Sequence, residues 1–137
     1  NCVFANNATL AGHVEVGDWA ILGGLAAVHQ WSRIGCHSFI GGLAAVTRDL
    51  LPFGMAVGNR ANLEGINLIG MRRRNFSKSE IDEVKKVYSI LFNANDLEFK
   101  NKINKLKEEK FSSDPAKIIT DFVNVETNRA YVSPTEI

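Results

Sequence analysis

The chain has 137 residues, 45% of them hydrophobic, with 16 basic and 15 acidic side chains and a formal net charge of +1. That balance fits an ordinary soluble chain of one or two small domains and gives no reason to expect a nucleic-acid partner. No window approaches the ~18 continuous apolar residues of a membrane span, and no signal-peptide pattern opens the chain, so a cytoplasmic location is expected.

From Phe4, every sixth residue is apolar: Leu10, Val16, Leu22, Val28, Ile34, Ile40 and Val46. Small or polar residues follow each of them, and a second small or β-branched set (Ala8, Val14, Ala20, Ala26, Ser32, Ser38, Ala44) falls four places on. Neither the helical nor the strand period fits, and a hexapeptide period is the signature of a β-helix in which short strands meet at corners. Three hexapeptides per coil make a triangular prism with residues eighteen apart stacked. Leu22-Gly-Gly-Leu-Ala-Ala-Val28 recurs eighteen residues later as Ile40-Gly-Gly-Leu-Ala-Ala-Val46, which supports that count. The small residues are expected to let the backbone turn and stack closely. Asn1-Cys2 opens the chain already in register, which implies earlier coils.

Asp49-Leu-Leu-Pro52 is expected to close the repeat, because proline withholds a donor from the next rung. Met55 to Gly58 forms one more short strand, ending a β-helix assigned to residues 1–58. Residues 59–76 read as a connector, and residues 77–137 as a helical bundle. Ser77-Lys-Ser-Glu80 is a capping box for a helix from Lys78 to Asn93, with Ile81, Val84, Tyr88 and Leu91 on one face. Asp96 caps a second helix carrying Leu97, Ile103 and Leu106. Asp114-Pro115 starts a third, with Ile118, Ile119, Phe122 and Val123. Residues 129–137 read as a loose tail. Charge follows this division: up to Gly58 there are two basic and three acidic residues, and the remainder carries 14 and 12. The charge run from Lys100 to Lys110 reads as a solvated face.

The prism core is filled, so chemistry belongs on its outside or between neighbouring prisms. His13, His29 and His37 all fall at repeat positions that do not fill the core. Gln30 and Trp31 follow His29, placing a hydrogen-bonding group and an aromatic at one corner suited to a sugar. Acyl transfer to a hydroxyl needs a general base and a donor for the oxyanion, and the Gly12 amide beside His13 is a candidate donor. Arg72, Arg73 and Arg74 offer permanently charged planar groups for phosphate, or merely solvate the connector. Cys2 and Cys36 lack metal spacing and read as reduced thiols. Zinc carbonic anhydrases use a similar prism, but histidines sixteen and eight residues apart give no close pair, so no metal is expected.

Ala5-Asn-Asn-Ala-Thr-Leu-Ala-Gly-His13, together with Ala27-Val-His-Gln30, Gly58-Asn59, Asn67 and Arg72-Arg-Arg-Asn-Phe-Ser77, resembles the acyl-carrier-protein-dependent UDP-N-acetylglucosamine O-acyltransferases that begin lipid A synthesis. The resemblance is strong to Ser77 and extends through the helices in layout. It implies a homotrimer of left-handed parallel β-helices with C-terminal helical domains and active sites between subunits. It also implies transfer of a 3-hydroxyacyl chain from acyl carrier protein to the 3-hydroxyl of UDP-N-acetylglucosamine, in Gram-negative bacteria. No cofactor is implied beyond the phosphopantetheine that carries the donor.

By position, Gly12 matches the oxyanion amide, while His13, His29 and Gln30 match residues around the sugar and reaction centre. Asn6 matches a phosphopantetheine contact, and Gly42 the site that sets acyl-chain length. Asn67 and Arg73 match nucleotide contacts, and Arg72 and Arg74 suit an acidic carrier protein. The family's catalytic histidine sits in a His-x-x-His-Asp segment expected upstream of Asn1, so residues 1–137 alone are expected to have very low activity. Asn75 stands where relatives often have glycine. Two other readings remain: a sister acyltransferase acting on an amino-sugar nucleotide, and a non-catalytic trimeric β-helix that binds nucleotide or carrier protein.

Overall fold

A computed structural model describes residues 1–93 and 98–135. Eight two-residue strands, β1 (Val3–Phe4), β2 (Thr9–Leu10), β3 (Glu15–Val16), β4 (Ile21–Leu22), β5 (Ala27–Val28), β6 (Arg33–Ile34), β7 (Phe39–Ile40) and β8 (Ala45–Val46), wind into three flat faces. All pair in parallel with a register of eighteen: Val3 opposite Ile21, Thr9 opposite Ala27, Glu15 opposite Arg33, Ile21 opposite Phe39. The fold is a left-handed parallel β-helix followed by helices.

The aliphatic residue of each hexapeptide points inward. Leu22, Ile40 and Val46 are fully buried, and Val28 and Ile34 nearly so. In the first coil the equivalent Phe4 and Leu10 are 46% and 37% exposed, because no rung covers them among the described residues.

The corners turn differently from expectation. Asn7, His13, Trp19, Leu25, Trp31, His37 and Leu43, spaced by six, all have φ between 58° and 65°, and none is glycine. This left-handed conformation costs an L-residue about 1–2 kcal/mol. Part of that cost is offset by a backbone bond to the rung before: Leu25 N–H to the Asn6 carbonyl at 3.0 Å, His37 to Asp18 at 2.8 Å, Leu43 to Gly24 at 2.9 Å. The glycines serve close stacking instead: a Cβ on Gly23 would lie 2.4 Å from the Gly42 nitrogen.

The repeat also does not close at Asp49. Leu50 pairs with Ile34 and Met55 with Phe39, a register of sixteen, so the third coil is two residues shorter at one corner and then continues. Strand β9 (Gly54–Val57) stacks on β7 and opens the next coil, in line with the strand expected there. The stretch assigned as a connector is largely ordered structure. Strand β10 (Asn62–Ile66) runs antiparallel to β9, and helix α1 (Leu68–Arg73) follows. Asn75 has φ 60°, in the left-handed region that asparagine and glycine tolerate better than other residues.

Helix α2 (Lys78–Phe92) begins with the expected capping box: Ser77 N–H donates to Glu80 at 2.7 Å, and Glu80 N–H to the Ser77 hydroxyl at 3.3 Å. Helix α3 spans Phe99–Glu108; the expected cap at Asp96, and Leu97, lie outside the described residues. Helix α4 spans Asp114–Asn124 and is capped one residue earlier than expected, by Ser113. The three helices pack on one another, and Tyr88 ties them to the prism by donating to the Pro52 carbonyl at 2.8 Å.

The segment read as a loose tail is held. Asp49 pairs with Tyr131 as a bridge, and Leu63 N–H donates to Ser133. The fully buried Asp49 carboxylate accepts from Arg33 Nε at 2.7 Å and Arg129 Nε at 2.9 Å. Arg33 also lies 4.3 Å over the Phe122 ring, joining prism, helix α4 and tail.

Candidate active site

The register of eighteen sets Ala11, Gly12 and His13 directly over His29, Gln30 and Trp31 at one corner. Adjacent rungs lie about 4.8 Å apart. The expected sugar-facing residues therefore share a single surface. His13 stacks flat on Trp31, with ring centroids 3.9 Å apart and planes 9° apart. His29 and Gln30 are exposed beside them, and His29 Nδ1 lies 3.2 Å from the Gln30 carbonyl.

The Gly12 N–H meets no acceptor among the described residues, but neither do the equivalent amides of Asn6, Asp18, Gly24, Gln30, Cys36 and Gly42. A free amide is thus a property of every corner. What sets Gly12 apart is its company of histidines: His13 follows it, and His29 and Gln30 lie on the rung beside it.

Asn6, Gly24 and Gly42 form a column along a second corner, where Leu25 and Leu43 are 57% and 68% exposed. Asn6 and Gly42, expected to meet the phosphopantetheine arm and the acyl chain, thus lie on one edge, two rungs apart. That edge offers an apolar, glycine-lined track.

At the third corner Trp19, His37 and Phe53 stack, at 6.2 Å and 13° and then 5.1 Å and 7°, with Phe76 edge-on to His37 and Phe53. Helix α1 is fastened here. Asn67 is nearly buried; its side chain accepts from Gly70 N–H and donates to the His37 carbonyl, both at 3.0 Å. It is therefore a helix cap first, with one amide hydrogen left for a ligand. Gly70 is required, since a Cβ would lie 2.4 Å from the Asn67 amide nitrogen. Arg72 and Arg73 are exposed in the last turn. Arg74 instead turns back: its Nη2 donates to the Trp19 carbonyl at 3.2 Å, and its guanidinium lies 5.2 Å over the Trp19 ring. Of the two arginines expected to meet a carrier protein, Arg74 is held within its own chain and Arg72 faces outward.

Burial pushes the His37 imidazole below the usual histidine range, helped by Arg74 and opposed by Asp18. Burial pushes the Cys36 thiol up to about 11, which leaves it a poor nucleophile. No three His, Cys, Asp or Glu side chains converge on a metal-sized site among the described residues. No helix among them is long and apolar enough to cross a membrane. Sequence reasoning missed Trp19, Gly70 and the Asp49 cluster. The spacing of eighteen between Trp19 and His37 was visible, but nothing linear pairs Arg74 with Trp19.

A family model described as UDP N-acetylglucosamine O-acyltransferase, domain 2, matches residues 49–132. The chain is 46% identical over 124 residues to the acyl-[acyl-carrier-protein]–UDP-N-acetylglucosamine O-acyltransferase of Burkholderia thailandensis, covering 88% of this chain and 47% of that protein. It is 42% identical over 134 residues to the Sinorhizobium fredii protein of the same name, covering 98% and 49%. Among solved structures it superposes on the UDP-N-acetylglucosamine acyltransferase from Campylobacter jejuni with a TM-score of 0.84 and 36% identity, covering 100% of this chain and 52% of that one. The chain thus spans about half the length of the relatives it matches. The family model covers the closing corner and the helices, and the relatives extend the match through the hexapeptide coils; the chain belongs to the UDP-N-acetylglucosamine O-acyltransferase family.

Proposed function

We propose that these residues form the acceptor-binding and C-terminal portion of an acyltransferase that moves a 3-hydroxyacyl chain from acyl carrier protein to the 3-hydroxyl of UDP-N-acetylglucosamine, the first step of lipid A synthesis. The observation that carries this reading is the single corner bearing Gly12, His13, His29, Gln30 and Trp31. The hydroxyl oxygen attacks the thioester carbonyl, the Gly12 N–H donates to the resulting oxyanion, and collapse expels the phosphopantetheine thiolate. His13, His29 and Gln30 orient the sugar through hydrogen bonds. The proton of the attacking hydroxyl goes to a histidine that the family carries N-terminal to these coils. Arg73 meets the diphosphate, and Asn67 contributes its remaining amide hydrogen.

The glycine-lined column of Asn6, Gly24 and Gly42 takes the donor arm and chain. A homotrimer supplies the facing wall of the site, in keeping with the exposure of Leu25, Leu43 and Trp31. An open groove of about 1270 Å³ beside α3 and α4, where Arg48, Lys100, Lys102 and Lys107 outnumber Glu126, suits the acidic carrier protein. No resident cofactor or metal enters this chemistry. The reading is tested by titrating UDP-N-acetylglucosamine into Arg73→Ala. Losing a charge-assisted contact to phosphate should raise Kd at least tenfold, and an unchanged Kd would remove Arg73 from the nucleotide site.

A further inference from the structure

The geometry points to the edge formed by Trp19 and His37 as the positioning element for the nucleotide arm: through Arg74 and Asn67 it fixes both ends of helix α1 and so sets where Arg73 stands. This inference rests on the assignment of Arg73 to the nucleotide. Helix α1 has six residues, too short to hold itself in place. Its start is tied by Asn67, whose N–H bonds the Phe53 carbonyl at 2.6 Å and whose side chain bonds the His37 carbonyl. Its end is tied by Arg74, whose N–H bonds the Gly70 and Met71 carbonyls while its guanidinium sits on Trp19. Arg73, exposed between these ties, makes no side-chain hydrogen bond or ion pair among the described residues.

Trp19 and His37 hold corner positions like those of the other coils. Both sit in the left-handed region, Trp19 is 40% exposed, and neither fills the prism core. His37 Nδ1 is buried without a hydrogen-bond partner. The charged groups facing the His37 ring are Asp18 from its own edge and Arg74 from the end of α1; Phe53 and Phe76 bring no charge. Protonating His37 sets a second cation against Arg74, loosens that tie and weakens nucleotide binding.

The test is calorimetric titration of UDP-N-acetylglucosamine into the purified chain and its variants, each checked by thermal melting. Trp19→Ala, which leaves the Trp19 carbonyl in place for Arg74, should raise Kd about three- to fivefold, the worth of a partly exposed cation–π contact. Trp19→Phe, which keeps a ring under Arg74, should stay within about twofold. Trp19→Ala combined with Arg74→Met should bind no more weakly than the weaker single variant, since both break one tie. His37→Phe keeps the stack, as Phe53 does at the same corner conformation. It should flatten the component of the affinity profile that falls off in the wild type at a pH below the usual histidine range. If Arg73→Ala loses affinity while Trp19→Ala and Arg74→Met do not, the positioning role is overturned and the nucleotide assignment stands. If Arg73→Ala itself changes nothing, the nucleotide assignment fails and the inference goes with it. Identical pH profiles for wild type and His37→Phe overturn the part assigned to His37.

Discussion

Replacing Asp49 by alanine removes a carboxylate that is fully buried between two guanidinium groups. It accepts the Arg33 backbone N–H at 3.0 Å, Arg33 Nε at 2.7 Å and Arg129 Nε at 2.9 Å, so three donors lose their acceptor at once. Breaking a buried ion pair from one side costs about 3–5 kcal/mol. The Arg33 and Arg129 side chains are 15% and 27% exposed, so water reaches both and the low end applies, about 3 kcal/mol. For a chain of this size about 3 °C accompanies each kcal/mol, which places the expected Tm drop near ~10 °C. Asp49→Asn, which keeps one acceptor, should fall between. Melts at matched protein concentration measure this, and hydrogen exchange adds a local readout. Val132 N–H donates to the Asp49 carbonyl at 2.8 Å and should exchange faster in the variant. A Tm within ~3 °C of wild type, with Val132 still protected, would mean that the cluster does not hold the tail to the prism.

Tyr88→Phe leaves the buried Pro52 carbonyl without its donor and should cost about 1–2 kcal/mol in urea unfolding; no loss would assign the anchoring of α2 to packing alone. At φ 60°, Asn75→Gly should leave the melting temperature nearly unchanged, while Asn75→Val should cost about 1–2 kcal/mol, and equal melts for the two would refute the strain argument. Hydrogen bonds from Ser113 and Ser112 lower the Glu83 carboxyl from 4.5 to about 2. A depressed folded-state value gives stability that is present above the unfolded value near 4.5 and is lost as pH falls toward 2. Glu83→Gln should therefore abolish that part of the acid dependence, as read from melts between pH 6 and pH 2. Gly42→Met places a side chain on the donor track with only a 3.3 Å contact to the Gly24 carbonyl. In the complete enzyme it should shift donor preference to shorter acyl chains, and an unaltered chain-length profile would take Gly42 out of that role.

The sequence by itself determined the coil. Inward side chains must be aliphatic and their neighbours small, so Phe4 to Val46 repeats a pattern that no helix or lone strand produces, and the eighteen-residue register follows from three faces per turn. That register alone brings Gly12 and His13 over Gln30 and Trp31. Local capping chemistry likewise marked helix α2, because Ser77 and Glu80 bond within four residues of each other. Tertiary structure decided what depends on partners far apart along the chain. The coil shortened between Val46 and Leu50, the strand β10 that needs β9 beside it, and the tail held by Asp49 leave no periodic trace. Arg72, Arg73 and Arg74 are indistinguishable as letters. Only packing against the Trp19 edge, 55 residues away, separates the arginine that holds the helix from those that face outward, because a guanidinium's role is set by the carbonyl and ring it reaches.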